Sequence, residues 1–163
     1  MTKVYDYSAF DPTDNPLCDW HYEYYFRNES VGDYRIASGM VGGRWTTHQK
    51  LMVANMGHGT YKVAWIEPTG SVCSLDINFR ERWLHGFFGL SQWINKSPEV
   101  TTVHQNLHLK TMREHRDAGP LYPLFVNFDF AEITFMEDCG RDNDDVINCG
   151  PSELPEGYLD RKN

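Results

Sequence analysis

Apolar and polar residues alternate along much of the first ninety positions, most clearly over residues 61–70, YKVAWIEPTG. Aromatic and β-branched residues run unbroken there until Pro68 and Gly70, which predicts a β-strand closed by a turn. Strand side chains alternate between two faces, so Tyr61, Val63 and Trp65 share one face and Glu67 is the next residue on it. Burying an unpartnered carboxylate is costly. Taken alone, the strand therefore favours a Glu67 that points into water, against a carboxyl group held in an apolar pocket as a proton donor.

The same alternation predicts strands over residues 4–7, 20–27, 34–37, 40–47, 51–55, 72–79 and 83–88. Trp20, Tyr22, Tyr24 and Phe26 fall on one face of the second of these, and His21, Glu23 and Arg27 on the other. Residues 8–19 form a turn-rich loop marked by Asp11-Pro12 and Asn15-Pro16. After Gly89 the pattern changes. Residues 90–96 predict a short helix stopped before Pro98, and residues 104–117 a polar helix anchored by Leu107 and Met112. Residues 121–129 are broken by Pro123, and residues 130–136 predict a closing strand. From Glu137 the chain is acidic and rich in Gly and Pro, and reads as a surface tail. No repeat and no domain boundary appears, so residues 1–163 read as a single domain. Consecutive strands followed by helical cover predict an antiparallel β-barrel with a few helices at one side. Small barrels of this kind hold one small ligand.

Composition sharpens this in three ways. Aromatic residues make up 14% of the chain, which suits a β-rich fold or a pocket for a flat ring-bearing ligand. The net charge of −8 argues against a nucleic-acid partner, which needs a basic face. Cys18, Cys73, Cys139 and Cys149 show no metal-type spacing, residues 1–19 lack the apolar core of a signal peptide, and no apolar run matches a bilayer. The chain reads as a cytoplasmic protein with free thiols and no membrane contact.

Most candidate motifs dissolve on inspection. Residues 39–43, GMVGG, lack the Lys-Ser/Thr of a phosphate loop and read as a tight connection. His104 and His108 lack a third metal ligand, and the acidic residues 138–145 lack calcium-loop spacing. Ser38, Ser71 and Ser74 have no nucleophile-elbow context. Arg44 differs. Its segment is expected to be buried, alternation sets it with Met40 rather than Trp45, and a buried arginine needs a carboxylate. Glu67 is the candidate if the two strands are neighbours, a structural ion pair being the alternative account. Tyr22, on its aromatic face, reads by itself as core.

Several segments together resemble the phenolic acid decarboxylases, which include ferulic and p-coumaric acid decarboxylases. They are residues 33–45 (DYRIASGMVGGRW), 61–70 (YKVAWIEPTG), 84–86 (LHG), 98–101 (PEVT), 105–106 (QN) and 130–135 (FAEITF), in the family's order and nearly its spacing. The resemblance implies a flattened lipocalin-like (calycin-type) barrel, usually a homodimer, with no metal or organic cofactor. The implied reaction is non-oxidative loss of CO2 from 4-hydroxycinnamic acids (p-coumaric, ferulic, caffeic), giving 4-vinylphenols. By position, the family's catalytic glutamate falls on Glu67, its arginine on Arg44 and the tyrosine of its Trp-x-Tyr on Tyr22. The paired carboxylate-binding tyrosines match Tyr5 and Tyr7, and Glu132 matches a further site glutamate. Trp20, Trp65, Met40 and Phe88 complete the expected substrate-binding wall. Two departures stand out: residues 8–19 separate the tyrosine pair from Trp-x-Tyr, and Phe87-Phe88-Gly89 replaces branched aliphatics. If Phe87 or Phe88 faces the pocket, it narrows it. Such reshaping keeps open a cofactor-free isomerase or cyclase using the same acid, and a lipocalin-like carrier of aromatics.

Overall fold

The computed structural model describes residues 20–163, so the strand expected over residues 4–7, with Tyr5 and Tyr7, lies outside the described residues. The fold is mainly β. Strands β1 (Tyr22–Phe26), β2 (Val31–Ile36) and β3 (Trp45–Lys50) make one antiparallel sheet. Strands β4 (Met52–Gly57), β5 (Thr60–Ile66), β6 (Val72–Asn78), β7 (Trp83–Leu90) and β8 (Phe125–Glu132) make a second, in which each strand pairs with the next. The register of the second sheet sets its inner face in rows. Trp65, Cys73, Phe88 and Asn127 form one row, and Val63, Leu75, Gly86 and Asp129 the next. These rows face Tyr34 and Ile36 of the first sheet within one apolar core, with Tyr22, Tyr24 and Phe26 packed against it.

Two helices cover one end of this core. Helix α1 (Gln92–Lys96) buries Trp93 and Ile94, and helix α2 (Leu109–Ala118) buries Met112. Gly119 and Pro120 end α2, the first with φ +69°, which a side chain would strain. No helix among the described residues is long and apolar enough to cross a membrane.

The structure departs from the sequence pattern in five places. Among the described residues the two sheets do not join into a closed barrel, because neither β1 and β8 nor β3 and β4 have a ladder between them. The strand expected over residues 40–47 begins only at Trp45. Residues 39–43 form a turn in which Gly42 N donates to Gly39 O, and a side chain at Gly39 would strike the Trp20 ring. The closing strand spans 125–132 rather than 130–136, starting beyond Pro123, which supplies no ladder N–H. Leu107 is exposed and the second helix starts only at Leu109. Finally, residues 137–163 are no free tail. They pack on the outer face of β1 and β2, burying Ile147 completely. There the Tyr25 hydroxyl donates to Gly140 O at 2.7 Å and the Tyr158 hydroxyl to Glu23 at 2.7 Å. That outer face carries Glu23, Tyr25, Arg27 and Arg35, whose polar groups need partners once covered.

Candidate active site

The β5–β6 hairpin explains why Glu67 is buried. Val63 and Trp65 are 3% and 4% exposed, Ile66 on the other face is 64% exposed, and Glu67 is 6% exposed. Alternation thus continues one residue past the strand. The turn enforces this: Glu67 N donates to Ser71 O and Gly70 N to Glu67 O, both at 3.0 Å, with Pro68 in the bend. Gly70 takes φ +85°, a conformation suited to glycine. The solvent-facing reading of Glu67 is therefore corrected, since the turn keeps its side chain on the inner face.

Four donors converge on the Glu67 carboxyl. Oε1 accepts from the Tyr34 hydroxyl at 2.5 Å and from Trp65 Nε1 at 3.2 Å. Oε2 accepts from Arg44 Nη2 at 2.5 Å and from the Thr69 hydroxyl at 3.3 Å. Such a set satisfies a buried carboxylate that would otherwise be prohibitive. Because a hydroxyl both donates and accepts, the Tyr34 contact also survives protonation of the acid.

Arg44, 1% exposed, comes from the first sheet's side, between the 39–43 turn and β3. The pair with Glu67 hence bridges the two sheets, and does not rest on β3 and β5 being ladder neighbours. Arg44 Nη2 also donates to Gln105 Oε1. Burial works against the arginine's charge, and Glu67, Tyr34 and Cys73 together more than offset it, leaving its pKa above that of a free arginine.

An aromatic layer separates this cluster from a cavity of about 1650 Å3. Tyr22 stacks on Tyr24 at 6.0 Å and on Phe88 at 5.6 Å, while Tyr24 meets Trp65 edge-on at 6.2 Å. Trp20, Tyr22, Tyr24, Phe88 and Asp129 line the cavity, which opens between β1 and β8. Glu67, Arg44, Trp65 and Met40 do not line it; they lie behind the rings or, for Met40, on the turn. Glu67 instead borders a smaller recess of about 370 Å3 beside Gln105 and Thr46. Burial, then Cys73 and the charge of Glu67, hold the Tyr22 hydroxyl far above the usual phenol range, with Arg44 pulling the other way. Burial likewise raises Tyr24, Tyr34 and the Cys73 thiol. These groups act as neutral hydrogen-bonding partners at ordinary pH.

Of the expected residues, Glu67, Arg44 and Trp65 are brought into direct contact, and Trp20, Tyr22 and Phe88 form the neighbouring wall. Phe88 faces inward, and Phe87 points to the opposite face. The Phe88 ring folds over Gly86, where a Cβ would lie 2.5 Å from it. Glu132 is exposed, on the outward side of β8 at the cavity's rim. The carboxylate that β8 presents inward is Asp129, one rung from Asn127. Tyr5 and Tyr7 lie outside the described residues. Sequence reasoning missed Tyr34, Thr69, Gln105 and Asp129. Tyr34 and Gln105 stood inside the resembling segments, and Thr69 sits two residues after Glu67 in its turn. Among the described residues no three His, Cys, Asp or Glu side chains gather as a metal site requires.

Comparison with known proteins agrees with this geometry. The family model described as phenolic acid decarboxylase (PAD) matches residues 14–161. A probable phenolic acid decarboxylase of Vibrio cholerae serotype O1 is 45% identical over 139 residues, which cover 85% of this chain and 80% of that protein. Phenolic acid decarboxylase PadC of Bacillus subtilis is 42% identical over 134 residues, covering 82% and 83% respectively. A match over nearly the whole chain, joined to a buried acid beside an aromatic cavity, decides the assignment: the chain belongs to the phenolic acid decarboxylase family and is a carboxy-lyase.

Proposed function

We propose that this enzyme releases CO2 from 4-hydroxycinnamic acids such as p-coumaric, ferulic and caffeic acid, without oxidation and without a cofactor. The observation that carries the reading is the Glu67 carboxyl, buried and hydrogen-bonded to Arg44 and Tyr34 behind an aromatic cavity, in a chain of this family. A deprotonated para-hydroxyl pushes electrons through the ring toward the alkene carbon that bears the carboxylate. Glu67 gives that carbon its proton, forming a quinone methide and leaving Glu67 ionised. The C–CO2 bond then breaks, its electron pair rebuilds the alkene, CO2 departs and the phenolate is restored. Arg44 orients the acid and supports its charge once the proton has gone. Tyr22 receives the phenol end, and the resemblance assigns Tyr5 and Tyr7 to the substrate carboxylate. Trp20 and Phe88 shape the wall, which Phe88 stacked on Tyr22 narrows, while Trp65 and Met40 stand behind it. Asp129 and Glu132 both line the cavity, and we assign the further site carboxylate of the resemblance to Asp129, which faces inward on β8.

A lipocalin-like barrel belongs to the same reading, supported by two antiparallel sheets that share one apolar core. A cytoplasmic setting is supported by the free thiols of Cys73, Cys139 and Cys149. The assay is direct: incubation with p-coumarate bleaches the cinnamate absorbance and yields 4-vinylphenol, whereas unsubstituted cinnamate, lacking the hydroxyl, is inert. Equal turnover of unsubstituted cinnamate would exclude the quinone methide.

We assign the homodimer that the resemblance implies to the outer face of the second sheet, a choice supported by the exposed Ile66, Val72, Val126 and Phe128. Light scattering should then give twice the 19.0 kDa chain mass, and Phe128→Glu should give the single mass. A dimer unaffected by Phe128→Glu removes this face from the interface.

A further inference from the structure

The hydrogen bonds of Arg44 point to a residue that the reaction scheme above leaves unused. Gln105 is buried, and its two amide atoms are committed in different directions. Oε1 accepts from Arg44 Nη2, the same nitrogen that donates to Glu67, and Nε2 donates to the Thr46 hydroxyl at 3.3 Å. The mounting of Gln105 is stiff. Its neighbour Asn106 accepts from Thr46 Oγ1 at 2.8 Å and from Thr47 N at 3.0 Å, and donates to Thr47 O at 2.8 Å. Trp45 N donates to Val103 O at 3.2 Å just upstream. The 3-10 turn Gln105–Leu107 is thereby stitched to the edge of β3 by an amide side chain, much as a further strand would be.

Arg44 needs such support. Its Nε is buried with no partner among the described residues, so among them the guanidinium is held through its contacts with Glu67, Gln105 and Tyr34. The acceptor opposite Glu67 is also chemically pointed: a neutral amide engages the guanidinium without competing for its charge, whereas a carboxylate there would divide it.

We propose that Gln105 is a positioning residue, holding the Arg44 guanidinium so that Nη2 meets the proton-donating carboxyl of Glu67. This rests on the reading of Glu67 as the proton donor. Among the described residues, the other polar groups acting on that carboxyl are Tyr34 of β2, Trp65 of β5, Cys73 of β6, Thr69 of the turn, and Tyr22 and Tyr24 of β1. They are untouched by a change at 105.

The test compares Gln105→Leu, Gln105→Glu and Glu67→Gln by steady-state kinetics on p-coumarate, with thermal unfolding of each protein. Gln105→Leu is expected to lower kcat about tenfold to a hundredfold, as small misplacements of catalytic groups do, with KM changed about twofold or less. Gln105→Glu puts a second carboxylate on the guanidinium and divides its charge, so kcat falls as well, again with KM little changed. Loss of kcat at near-parental KM in the folded variants is the signature. Unchanged kcat in the folded variants, or a loss confined to KM, would make Gln105 an ordinary buried amide and overturn the inference. Should Gln105→Leu not fold, Gln105→Glu alone decides. A fully active Glu67→Gln would instead fell the reading of Glu67 itself.

Discussion

Glu67→Gln should lower kcat for p-coumarate by about three orders of magnitude, within the range that removal of a positioned acid produces. The amide keeps the shape and part of the hydrogen bonding of the carboxyl, and it has no proton to give at the pH of the assay. Its oxygen can still accept from Arg44 Nη2 or from Tyr34, since these approach different oxygens of Glu67. Whichever way the amide turns, one end of the cluster is mismatched. Trp65 Nε1 donates only, so an –NH2 facing it leaves a buried N–H unpaired. Arg44 also loses its buried counter-charge, which lowers stability. Circular dichroism and thermal melts must therefore accompany the rates, so that a loss of folded protein is not read as a loss of chemistry. Quantified 4-vinylphenol and CO2 give the outcome. Near-parental turnover by a folded Glu67→Gln protein removes Glu67 from the mechanism. Loss of some other cofactor-free conversion, with no CO2 from any hydroxycinnamate, would transfer the acid to an isomerase or cyclase.

How much of this site the sequence carried depends on the range of the contact concerned. Alternation along β5 placed Glu67 on the face of Trp65 and Val63, because that pattern is local. Its burial was not local. It depends on a turn that keeps Glu67 paired with Ser71, and on Arg44 and Tyr34 arriving from the other sheet. Arg44 was singled out correctly as an arginine in need of a carboxylate, on the wrong geometric ground. Strand adjacency was the argument, and the pair instead crosses between sheets. On β8 the sequence pattern misjudged the bounds: the strand runs from Phe125 to Glu132, with Asn127 and Asp129 on the inner face and Glu132, which came from the resemblance and not from alternation, on the outer one. The C-terminal segment was misread for another reason. Acidic, Gly- and Pro-rich composition describes a solvated tail, and it also describes an irregular segment held by buried partners. What those residues meet is visible only from β1 and β2, whose outward Arg27, Arg35 and Tyr25 had no evident partners in the sequence.

Removing one of those partners should have the largest effect on stability. Asp33→Ala is expected to destabilise the fold by about 3–5 kcal/mol, the usual result of breaking a buried ion pair from one side. Asp33 is almost fully buried and accepts Arg27 Nε on both oxygens, at 2.8 and 2.7 Å. Oδ1 also accepts the backbone N–H of His48 at 2.7 Å. That bond has a structural purpose. His48 takes φ +57°, and the β2–β3 ladder slips between Gly32 and Tyr34, so the Asp33 carboxylate fills the hydrogen-bonding place the irregularity leaves open. Alanine would strand the Arg27 guanidinium, whose other carboxylate partner is the exposed Asp144, and would orphan the His48 N–H. The neighbouring residue on β2 is Tyr34, which donates to Glu67, so a relaxed bulge should also cost activity. Asp33→Asn keeps two acceptor lone pairs and loses the charge, and should fall between parent and alanine variant. Urea unfolding at fixed pH measures the series, provided that the slopes agree. An alanine variant with the parental midpoint and slope would show that Asp144 and solvent suffice for Arg27, and that the β2–β3 bulge holds without its carboxylate.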